Sequence, residues 1–316
     1  MTSPLVSIIC TCYNHEEYIV GALNSVLSQS YGFIELVIID NGSYDQSVRL
    51  IQSWLEGNKS PIKTQLILHA DTINYCQSFN QGLATVKGKY LIDLSGDDEL
   101  LLHHVAQAVE VLEKENEAVY FSNALLVGYN SASARTFYPV NREGMLMEAV
   151  ASGNIYEHVV QKNFLCAPTM VFMTEALKNE GGYDEDLSYE DFDIIVRLAR
   201  KHRFVFNEYI GVKKRILKNS FASKQYSIRN SVMLPSTLKV CRKIQRMNSS
   251  ERENKALKFR VMFETKHALA SANFDVASGF LKLGQELGIS SLRYHLFWFW
   301  EKMRWDFSTI YKTMKG

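Results

Sequence analysis

The sequence predicts an α/β fold, with a mixed, mainly parallel sheet flanked by helices and a C-terminal helical extension, and three observations predict it. Short apolar runs alternate with helical patterns over the first hundred residues, as in β-α-β units. The apolar runs are nearly continuous, which is typical of strands buried on both faces of a parallel sheet. From about residue 228 the pattern is helical throughout.

The apolar run Leu5–Cys10 predicts the first strand, and Asn14–Glu17 is a helix-start signal whose acids complement the helix dipole. Apolar residues then recur at helical spacing as far as Leu27. The run Ile34–Ile39 predicts the second strand, which the turn-forming residues Asp40–Ser43 close. The further elements predicted are helices near 45–56, 75–86, 101–116 and 190–202 and strands near 64–69, 90–94, 118–123 and 167–173. Residues 124–165 carry no clear pattern.

The composition excludes several classes of protein. The 316 residues are 47% hydrophobic and 22% charged, unlike a disordered or collagenous chain. No apolar stretch reaches the roughly 18 residues of a membrane-spanning helix, and the N-terminus lacks the basic lead and apolar run of a signal peptide. The five cysteines are scattered without a Cys-x-x-Cys pair, which predicts reduced thiols in a cytoplasmic protein.

The charge is divided unevenly along the chain, although the net charge is only +1. Residues 1–227 hold 19 basic and 27 acidic residues, whereas residues 228–316 hold 16 basic and 7 acidic residues. A change of sign at one point indicates two parts with different partners. We therefore expect one domain at 1–227 and a helical C-terminal region at 228–316.

Polar and acidic residues follow the predicted parallel strands, at the sheet edge where open α/β folds bind ligands. The segments are Thr11–Asn14, Asp40–Ser43, His69–Asp71 and Ser95–Glu99. They contain no Gly-x-Gly-x-x-Gly, which disfavours a dinucleotide oxidoreductase. We expect the four segments to converge on one crevice.

Three acidic positions have both a functional and a structural interpretation. The pair Asp97 and Asp98 suits Mg²⁺ or Mn²⁺, or else forms a solvated turn that caps a helix. Asp40 suits a ribose or the N–H of a pyrimidine, or else caps its own turn. Glu190 and Asp191 open a helix, where an acid acts as a general base or simply as a cap.

Five motifs together resemble the family 2 glycosyltransferases of GT-A fold, over roughly residues 4–227. In chain order they are Val6–Asn14 (VSIICTCYN), Val37–Ser43 (VIIDNGS), Asn80-x-Gly82 with Lys87-Gly88-x-Tyr90, Gly96-Asp97-Asp98, and Gly181–Glu185 (GGYDE) with Glu190-Asp191. The resemblance implies the GT-A nucleotide-diphospho-sugar transferase fold and an inverting, metal-dependent transfer of a sugar.

The same resemblance implies three groups of site residues. They are the nucleotide-binding residues Thr11, Tyr13, Asn14, Asp40 and Asp97, the metal ligands Asp97 and Asp98, and the catalytic base Asp191 with Glu190 beside it. The metal, Mn²⁺ or Mg²⁺, would offset the charge of the departing nucleoside diphosphate. The base would deprotonate the acceptor hydroxyl as that group attacks the anomeric carbon from the opposite face.

Three positions depart from the family motifs. Asn41 stands where an aspartate is commoner, Ser95 where the fuller Asp-x-Asp-Asp pattern has its first acid, and Leu217 where many members have the histidine of Arg-x-His. Metal binding therefore rests on the two remaining aspartates. The cations that could supply positive charge near the missing histidine are Lys213, Lys214, Arg215 and Lys218.

The C-terminal segment 291–316 interleaves aromatic and basic residues. Leu296–Trp300 reads LFWFW, and Arg293, Lys302 and Arg304 flank it. This composition is typical of an interfacial membrane helix, and equally of a helix that packs on the catalytic domain or on a second subunit. A peripheral membrane contact and a homodimer through the C-terminal helices both stay open. We expect no nucleic-acid partner, because no recognition motif is present.

The expected function is transfer of a sugar from a UDP- or dTDP-linked donor to a glycan or lipid-linked glycan, in bacterial surface polysaccharide synthesis. The expected location is the cytoplasm or the inner face of its membrane. A nucleotidyltransferase is one alternative, but it needs a phosphate loop rich in Gly, Arg and Lys that Ile9–Asn14 does not offer. A non-catalytic sugar-binding protein on the same fold is the other, since the motifs are thinned at three positions.

Overall fold

The computed structural model describes residues 3–128, 134–217 and 220–315. The chain forms two compact units that are interleaved along the sequence. The first unit comprises Met1–Ile155, Leu165–Glu185 and Arg197–Leu217, and the second comprises Tyr156–Phe164, Asp186–Val196 and Lys218–Gly316. The boundary expected at residue 227 was placed where the net charge of the chain changes sign. The second compact unit differs from that expectation because it also includes two earlier segments, Tyr156–Phe164 and Asp186–Val196. Lys218 itself lies outside the described residues.

A nine-stranded sheet organises the described part of the first unit. Its strands are β1 (Val6–Cys12), β2 (Ile34–Asp40), β3 (Lys63–Leu68), β4 (Tyr90–Ser95), β5 (Glu99–Leu100), β6 (Val119–Gly128), β7 (Ala134–Thr136), β8 (Val171–Met173) and β9 (Phe204–Ile216). The strand order is β3-β2-β1-β4-β8-β6-β9-β5, with β7 paired to β6. β1 to β4 pair in parallel, whereas β8 runs antiparallel to both β4 and β6. The predicted mixed, mainly parallel sheet is confirmed.

Helices pack on both faces of the sheet, which is why β1 and β2 are buried at every position. The helices that contribute to the first unit are α1 (Ile19–Leu27), α2 (Ser47–Gly57), α3 (Tyr75–Thr85), α4 (His104–Glu115) and α6 (Thr174–Asn179). α1, α2 and α4 share a core with Ile8 of β1. On the opposite face, Gly82 of α3 lies against Ile9 and Ile39, leaving no room there for a larger side chain.

The described part of the second unit is helical, as the pattern after residue 228 predicts. Its helices are α5 (Tyr156–Gln161), α8 (Leu234–Met247), α9 (Glu251–Ala270), α10 (Phe274–Glu286), α11 (Leu292–Met303) and α12 (Ser308–Lys315). A further helix, α7 (Asp191–Lys201), begins in this unit and ends in the first. Ser250 and Glu253 form a capping box that fixes the start of α9.

Most predicted elements are confirmed, but the strand predicted at 167–173 is wrong in its first half. Ala167–Thr169 is a 3-10 turn, because Pro168 has no N–H for a strand ladder. β9 was not predicted, and residues 124–165 hold the end of β6, β7 and α5, with 129–133 outside the described residues.

All five cysteines are buried free thiols. No helix among the described residues combines the length and hydropathy needed to cross a bilayer.

Candidate active site

The carboxyl ends of the four parallel strands meet at one edge of the sheet. The registers pair Thr11 of β1 with Ser95 of β4, and Cys12 of β1 with Asp40 of β2. The Asp40 carbonyl accepts a hydrogen bond from the His69 N–H at 3.0 Å, so the segment after β3 joins the same edge. All four predicted polar segments therefore lie at this edge.

The turn after β2 is fixed by a buried carboxylate. Asp40 is fully buried, and its two oxygens accept hydrogen bonds from the N–H and the hydroxyl of Ser43, at 2.8 and 2.6 Å. The Asn14 N–H donates to the same hydroxyl at 2.9 Å. Gly42 has φ +75°, and a Cβ there would lie 2.4 Å from the backbone N of Thr72, so glycine is required. Asp40 thus performs the capping role that its sequence context allows.

Asn41 holds the loop that follows β3. Its amide nitrogen donates to the Ile73 carbonyl at 2.9 Å, and its amide oxygen accepts from the Ile73 N–H at 3.2 Å. The same oxygen lies 2.9 Å from Nδ1 of His69. An aspartate could not donate to the Ile73 carbonyl, so this departure from the family motif has a structural reason.

Two tyrosines form an exposed aromatic pair where β1 and β2 end. Tyr13 is 41% exposed, and its ring meets that of Tyr44 edge-on, with the centroids 6.3 Å apart. Asn14 adopts the left-handed conformation, with φ 56°, and its side chain accepts from the Tyr44 N–H. Exposed rings at this edge can stack on a base or a sugar. Tyr44 was missed because nothing local distinguishes it from a loop tyrosine.

The acidic loop after β4 is anchored at both ends. The Gly96 N–H donates to the Thr11 carbonyl at 2.7 Å, which ties the loop to β1. The Ser95 hydroxyl donates to the Asp97 carboxylate. Asp98 is 3% exposed, and one of its oxygens accepts from the Arg215 N–H at 2.8 Å. Burial raises the pKa of the Asp98 carboxyl above its ordinary value, and the negative charge of Asp97 adds to the shift.

β9 brings positive charge to this loop. Arg215 donates to the Asp97 carbonyl at 2.6 Å, and its guanidinium pairs with Glu99. Lys213 pairs with the same carboxylate at 3.2 Å. These cations hold the pKa of the Glu99 carboxyl below its ordinary value, although its partial burial opposes them. Arg215 therefore orders the loop, a role that its sequence context did not disclose.

The residues present fit a divalent cation bound in the manner of Mg²⁺. Within the described residues no group of three or more His, Cys, Asp or Glu side chains converges. Mg²⁺, however, uses one or two carboxylates and completes its shell with water and substrate phosphates. The Asp98 carboxylate is buried, and among the described residues it has one hydrogen-bond donor, so a cation would stabilise its charged form.

A second acid, the partly buried Asp93 of β4, has no local sequence signal that marks it. The hydroxyls of Tyr75 and Tyr183 donate to its carboxylate at 2.8 Å. Burial raises the pKa of Asp93 to about 6, and these hydrogen bonds limit the rise. Asn80 fixes Tyr183, exchanging hydrogen bonds with its backbone N–H and carbonyl at 2.9 and 2.8 Å. The Asn-x-Gly and Gly-Gly-Tyr-Asp-Glu motifs are thus joined through one residue pair.

The remaining predicted residues, Glu190 and Asp191, lie in the second unit at the start of α7. Both are half-buried, and the Asp191 carboxylate accepts from the Phe192 N–H at 2.6 Å. The neighbouring Tyr189 is buried, and its hydroxyl lies 2.6 Å from that of Thr237. The six predicted residues Thr11, Tyr13, Asn14, Asp40, Asp97 and Asp98 belong to the first unit.

Comparison with known proteins finds a matching family model and several related glycosyltransferases. Residues 7–161 match the model of glycosyl transferase family 2. An uncharacterised glycosyltransferase of Rickettsia prowazekii (strain Madrid E) is 26% identical over 217 residues, covering 68% of this chain and 64% of that protein. Glycosyltransferase GlyG of Streptococcus pneumoniae is 20% identical over 207 residues, covering 64% of this chain and 65% of that protein. The matched region spans slightly less than two thirds of either relative.

Solved structures share the fold. TarS 1–349 of S. aureus, in complex with UDP-GlcNAc, superposes with a TM-score of 0.71 at 16% identity, covering 98% of this chain and 91% of that one. The mannosyltransferase PcManGT of Pyrobaculum calidifontis, in complex with GDP-Man and Mn²⁺, gives 0.59 at 16% identity, covering 96% and 85%. The similarity to these structures shows the GT-A fold, and the match to the family model places residues 7–161 of this chain in glycosyl transferase family 2.

Proposed function

We propose that this chain transfers a sugar from a nucleoside diphosphate donor, UDP- or dTDP-linked, to a hydroxyl of a glycan or lipid-linked glycan, with inversion at the anomeric carbon. The observation that carries the proposal is the convergence of Thr11, Asp40 and the Asp97–Asp98 pair at the carboxyl edge of the parallel strands. We place the reaction in the cytoplasm, in the synthesis of a bacterial surface polysaccharide.

The donor nucleotide would lie against the ends of β1 and β2. Thr11 is 5% exposed, and its hydroxyl lies 3.4 Å from that of Tyr75. The exposed Tyr13 ring offers a stacking surface, and Asn14 holds the adjoining turn. Asp40 would act on the base by fixing this turn, since both of its oxygens are engaged by Ser43. The UDP-GlcNAc and GDP-Man complexes of the two structural neighbours support a nucleotide sugar as the donor class.

Asp97 and Asp98 would hold Mn²⁺ or Mg²⁺, and the Mn²⁺ of the mannosyltransferase complex supports a divalent ion of this class. When bound, that ion supplies positive charge against the diphosphate. Arg215 keeps the two carboxylates in place, through the Asp97 carbonyl and the hydrogen bond from its own N–H to Asp98. Lys214 supplies a further charge beside Asp98, which lowers the pKa of that carboxyl against the effect of burial.

Asp191 is our candidate for the general base, with Glu190 beside it. This assignment rests on the match to the Glu-Asp motif at the start of a helix. A carboxylate in this role accepts the proton of the acceptor hydroxyl as the new glycosidic bond forms, which contributes typically 10²–10⁴-fold to the rate.

Nucleotide binding and turnover, measured separately, test this proposal. UDP, dTDP and GDP are titrated into the full chain with Mn²⁺, with Mg²⁺ and with EDTA, and hydrolysis of the matching donor sugars is then followed. We expect metal-dependent binding of a uridine or thymidine diphosphate, weakened at least about tenfold by Asp98→Asn. Asp191→Asn should keep the binding and lose about 100-fold or more in turnover.

Glu110→Gln is the matched control, because Glu110 is an exposed carboxylate on α4. It should leave binding and turnover unchanged. Undiminished hydrolysis of the donor sugar by Asp191→Asn would contradict the base assignment alone. Binding without turnover of any donor sugar would favour the non-catalytic sugar-binding alternative, and failure to bind any nucleotide would overturn the proposal as a whole.

A further inference from the structure

α11 presents two apolar faces, of which only one is packed. Tyr294 and Phe297 are buried, and the Tyr294 hydroxyl donates to the Leu281 carbonyl of α10 at 2.6 Å. Packing within the second unit therefore accounts for this face. The other face carries four large apolar side chains at helical spacing, exposed by 79, 58, 53 and 49%, namely Leu292, Leu296, Phe299 and Met303.

The exposed face continues beyond the end of α11. Trp305 and Phe307 are 46% and 45% exposed. The centroid of the Trp305 ring lies 5.4 Å from that of Phe299 and 6.4 Å from that of Phe307. These side chains therefore form one surface, which we call the α11 patch: Leu292, Leu296, Phe299, Met303, Trp305 and Phe307. A contiguous patch of this kind marks an interaction site, whereas single exposed side chains do not.

The charges around the α11 patch are mainly positive. The Arg293 guanidinium lies 5.3 Å from the ring of Phe297, and the Lys302 ammonium lies 5.5 Å from that of Trp298. Arg293 has no carboxylate partner among the described side chains, and Glu301, 3.6 Å from Lys302, is itself buried. Two other acids near the patch, Asp306 and Asp275, are already paired, with Arg229 and Arg304 respectively. The side chains of Lys312 and Lys315 lie outside those described.

We propose that the α11 patch docks on an anionic lipid bilayer surface. Exposed leucine and phenylalanine side chains would enter the boundary between headgroups and acyl chains, and the tryptophan would lie at headgroup depth. Arg293 and Lys302 would face the anionic headgroups, which attract basic side chains. α11 has 12 residues, about 18 Å of helix, so it lies in the interface and does not cross the roughly 30 Å hydrocarbon core.

Charge favours this occupant over a second copy of the chain. A two-fold dimer contact is made by the same patch on both subunits. It would bring Arg293 and Lys302 of one copy towards the same cations of the other, with no free acid among the described patch residues to offset them. An anionic bilayer is instead complementary to the patch.

Vesicle flotation with the full chain tests the proposal. The vesicles contain phosphatidylcholine alone, or phosphatidylcholine mixed with phosphatidylglycerol. We expect the protein to float with the mixed vesicles only. The double variant Leu296→Asp/Phe299→Asp should lose at least about tenfold in partitioning, since both side chains enter the bilayer. The matched control is Phe33→Asp/Leu102→Asp, whose side chains are 56% and 50% exposed on the first unit and should not affect flotation.

A second pair of variants tests the charge. Arg293→Glu/Lys302→Glu should weaken binding to the mixed vesicles by at least about tenfold, since each cation near an anionic surface contributes about fivefold. Arg49→Glu/Lys59→Glu changes the same charge at exposed positions elsewhere and should have no effect. Circular dichroism confirms that each variant is folded.

Three outcomes would overturn the proposal. One is equal flotation with neutral vesicles, and another is no flotation of the unchanged protein with either kind. The third is a dimer in light scattering that Leu296→Asp/Phe299→Asp converts to a monomer, with no vesicle binding, because the patch would then belong to a second copy. Flotation needs no donor or acceptor, so its result is independent of the sugar-transfer proposal.

Discussion

Asn41 shows how one amide can replace a carboxylate for a structural reason. It is 7% exposed, and it uses its donor and its acceptor on the two backbone groups of Ile73. Buried polar groups of this kind are costly when one partner is removed, because the orphaned group loses its water and gains nothing. The turn after β2 and the loop after β3 are therefore joined by two hydrogen bonds of the Asn41 amide, and an aspartate could form only one of them.

We predict that Asn41→Asp lowers the free energy of unfolding at neutral pH by about 1–3 kcal/mol. One oxygen of the aspartate would still accept from the Ile73 N–H, but the other would face the Ile73 carbonyl without a proton to share. Urea unfolding followed by circular dichroism measures the change. Asn58→Asp is the control, because the Asn58 side chain acts as an acceptor from the Ser60 N–H, a role that aspartate keeps. Equal losses in the two variants would contradict the explanation.

Some residues at this edge could not be found from the sequence. Asp93 lies in a predicted strand, and its two hydrogen-bond donors are 18 and 90 residues away in the chain. Asp97 and Asp98 could be predicted, because they follow the strand directly. The difference is whether the partners of a residue are local or are assembled by the fold.

At the scale of elements, the apolar strands could be predicted and β9 could not. β1 and β2 are nearly continuous apolar runs because both faces of each strand are covered. β9 carries Lys213, Lys214 and Arg215 in its second half, a pattern that disfavours a strand in isolation. Two of these cations pair with Glu99, and Glu99 lies opposite Lys213 in the β5–β9 register. The charge is tolerated there because another strand supplies its counter-charge.

In the second unit, α9 contains a buried ion pair whose arginine also contacts α5. Arg260 and Glu264 are 7% and 0% exposed and lie 3.1 Å apart. Arg260 also donates to the Val160 carbonyl at 3.0 Å, and its guanidinium lies 4.6 Å from the Phe192 ring. We predict that Arg260→Met lowers the free energy of unfolding by about 3–5 kcal/mol, because Glu264 is then left buried without its counter-charge.

Denaturant unfolding of three variants distinguishes the effect of losing the Arg260–Glu264 ion pair from the effect of losing side-chain packing. Arg252→Met removes an exposed arginine from the same helix and should change stability by less than about 0.5 kcal/mol. Arg260→Met/Glu264→Leu removes both charges and should be more stable than Arg260→Met alone, since no buried charge is left unpaired. If the double variant were as unstable as the single one, the ion pair would not be the cause.

For the whole molecule, the buried His104 and the partly buried Asp93 have opposite effects on the dependence of stability on pH. Burial lowers the pKa of His104 to about 4, and neither ring nitrogen has a hydrogen-bond partner among the described residues. A histidine in the unfolded chain takes up its proton near pH 6.5, whereas His104 in the folded chain does so only near pH 4. The folded state therefore loses stability as the pH falls from 6.5 towards 4. Asp93, with a pKa raised to about 6, acts in reverse: the folded state takes up its proton first, so acidification below pH 6 stabilises the fold through this group.

We therefore predict that the unchanged protein loses stability relative to His104→Leu on acidification from pH 6 to 4.5, because its unfolding takes up a proton at His104. The two curves should diverge by up to about 1.4 kcal/mol per pH unit, the value for one proton. Among the described residues no charged side chain affects the pKa of His104. Its ring lies 5.9 Å from that of Tyr120, measured between centroids, and close to the backbone of Gly211. Urea unfolding at a series of pH values measures both curves. His103→Leu is the matched control, because it makes the same substitution at an exposed position, 2.8 Å from the Ser30 hydroxyl. Parallel curves for the unchanged protein and His104→Leu would show that His104 takes up its proton equally in the folded and unfolded states.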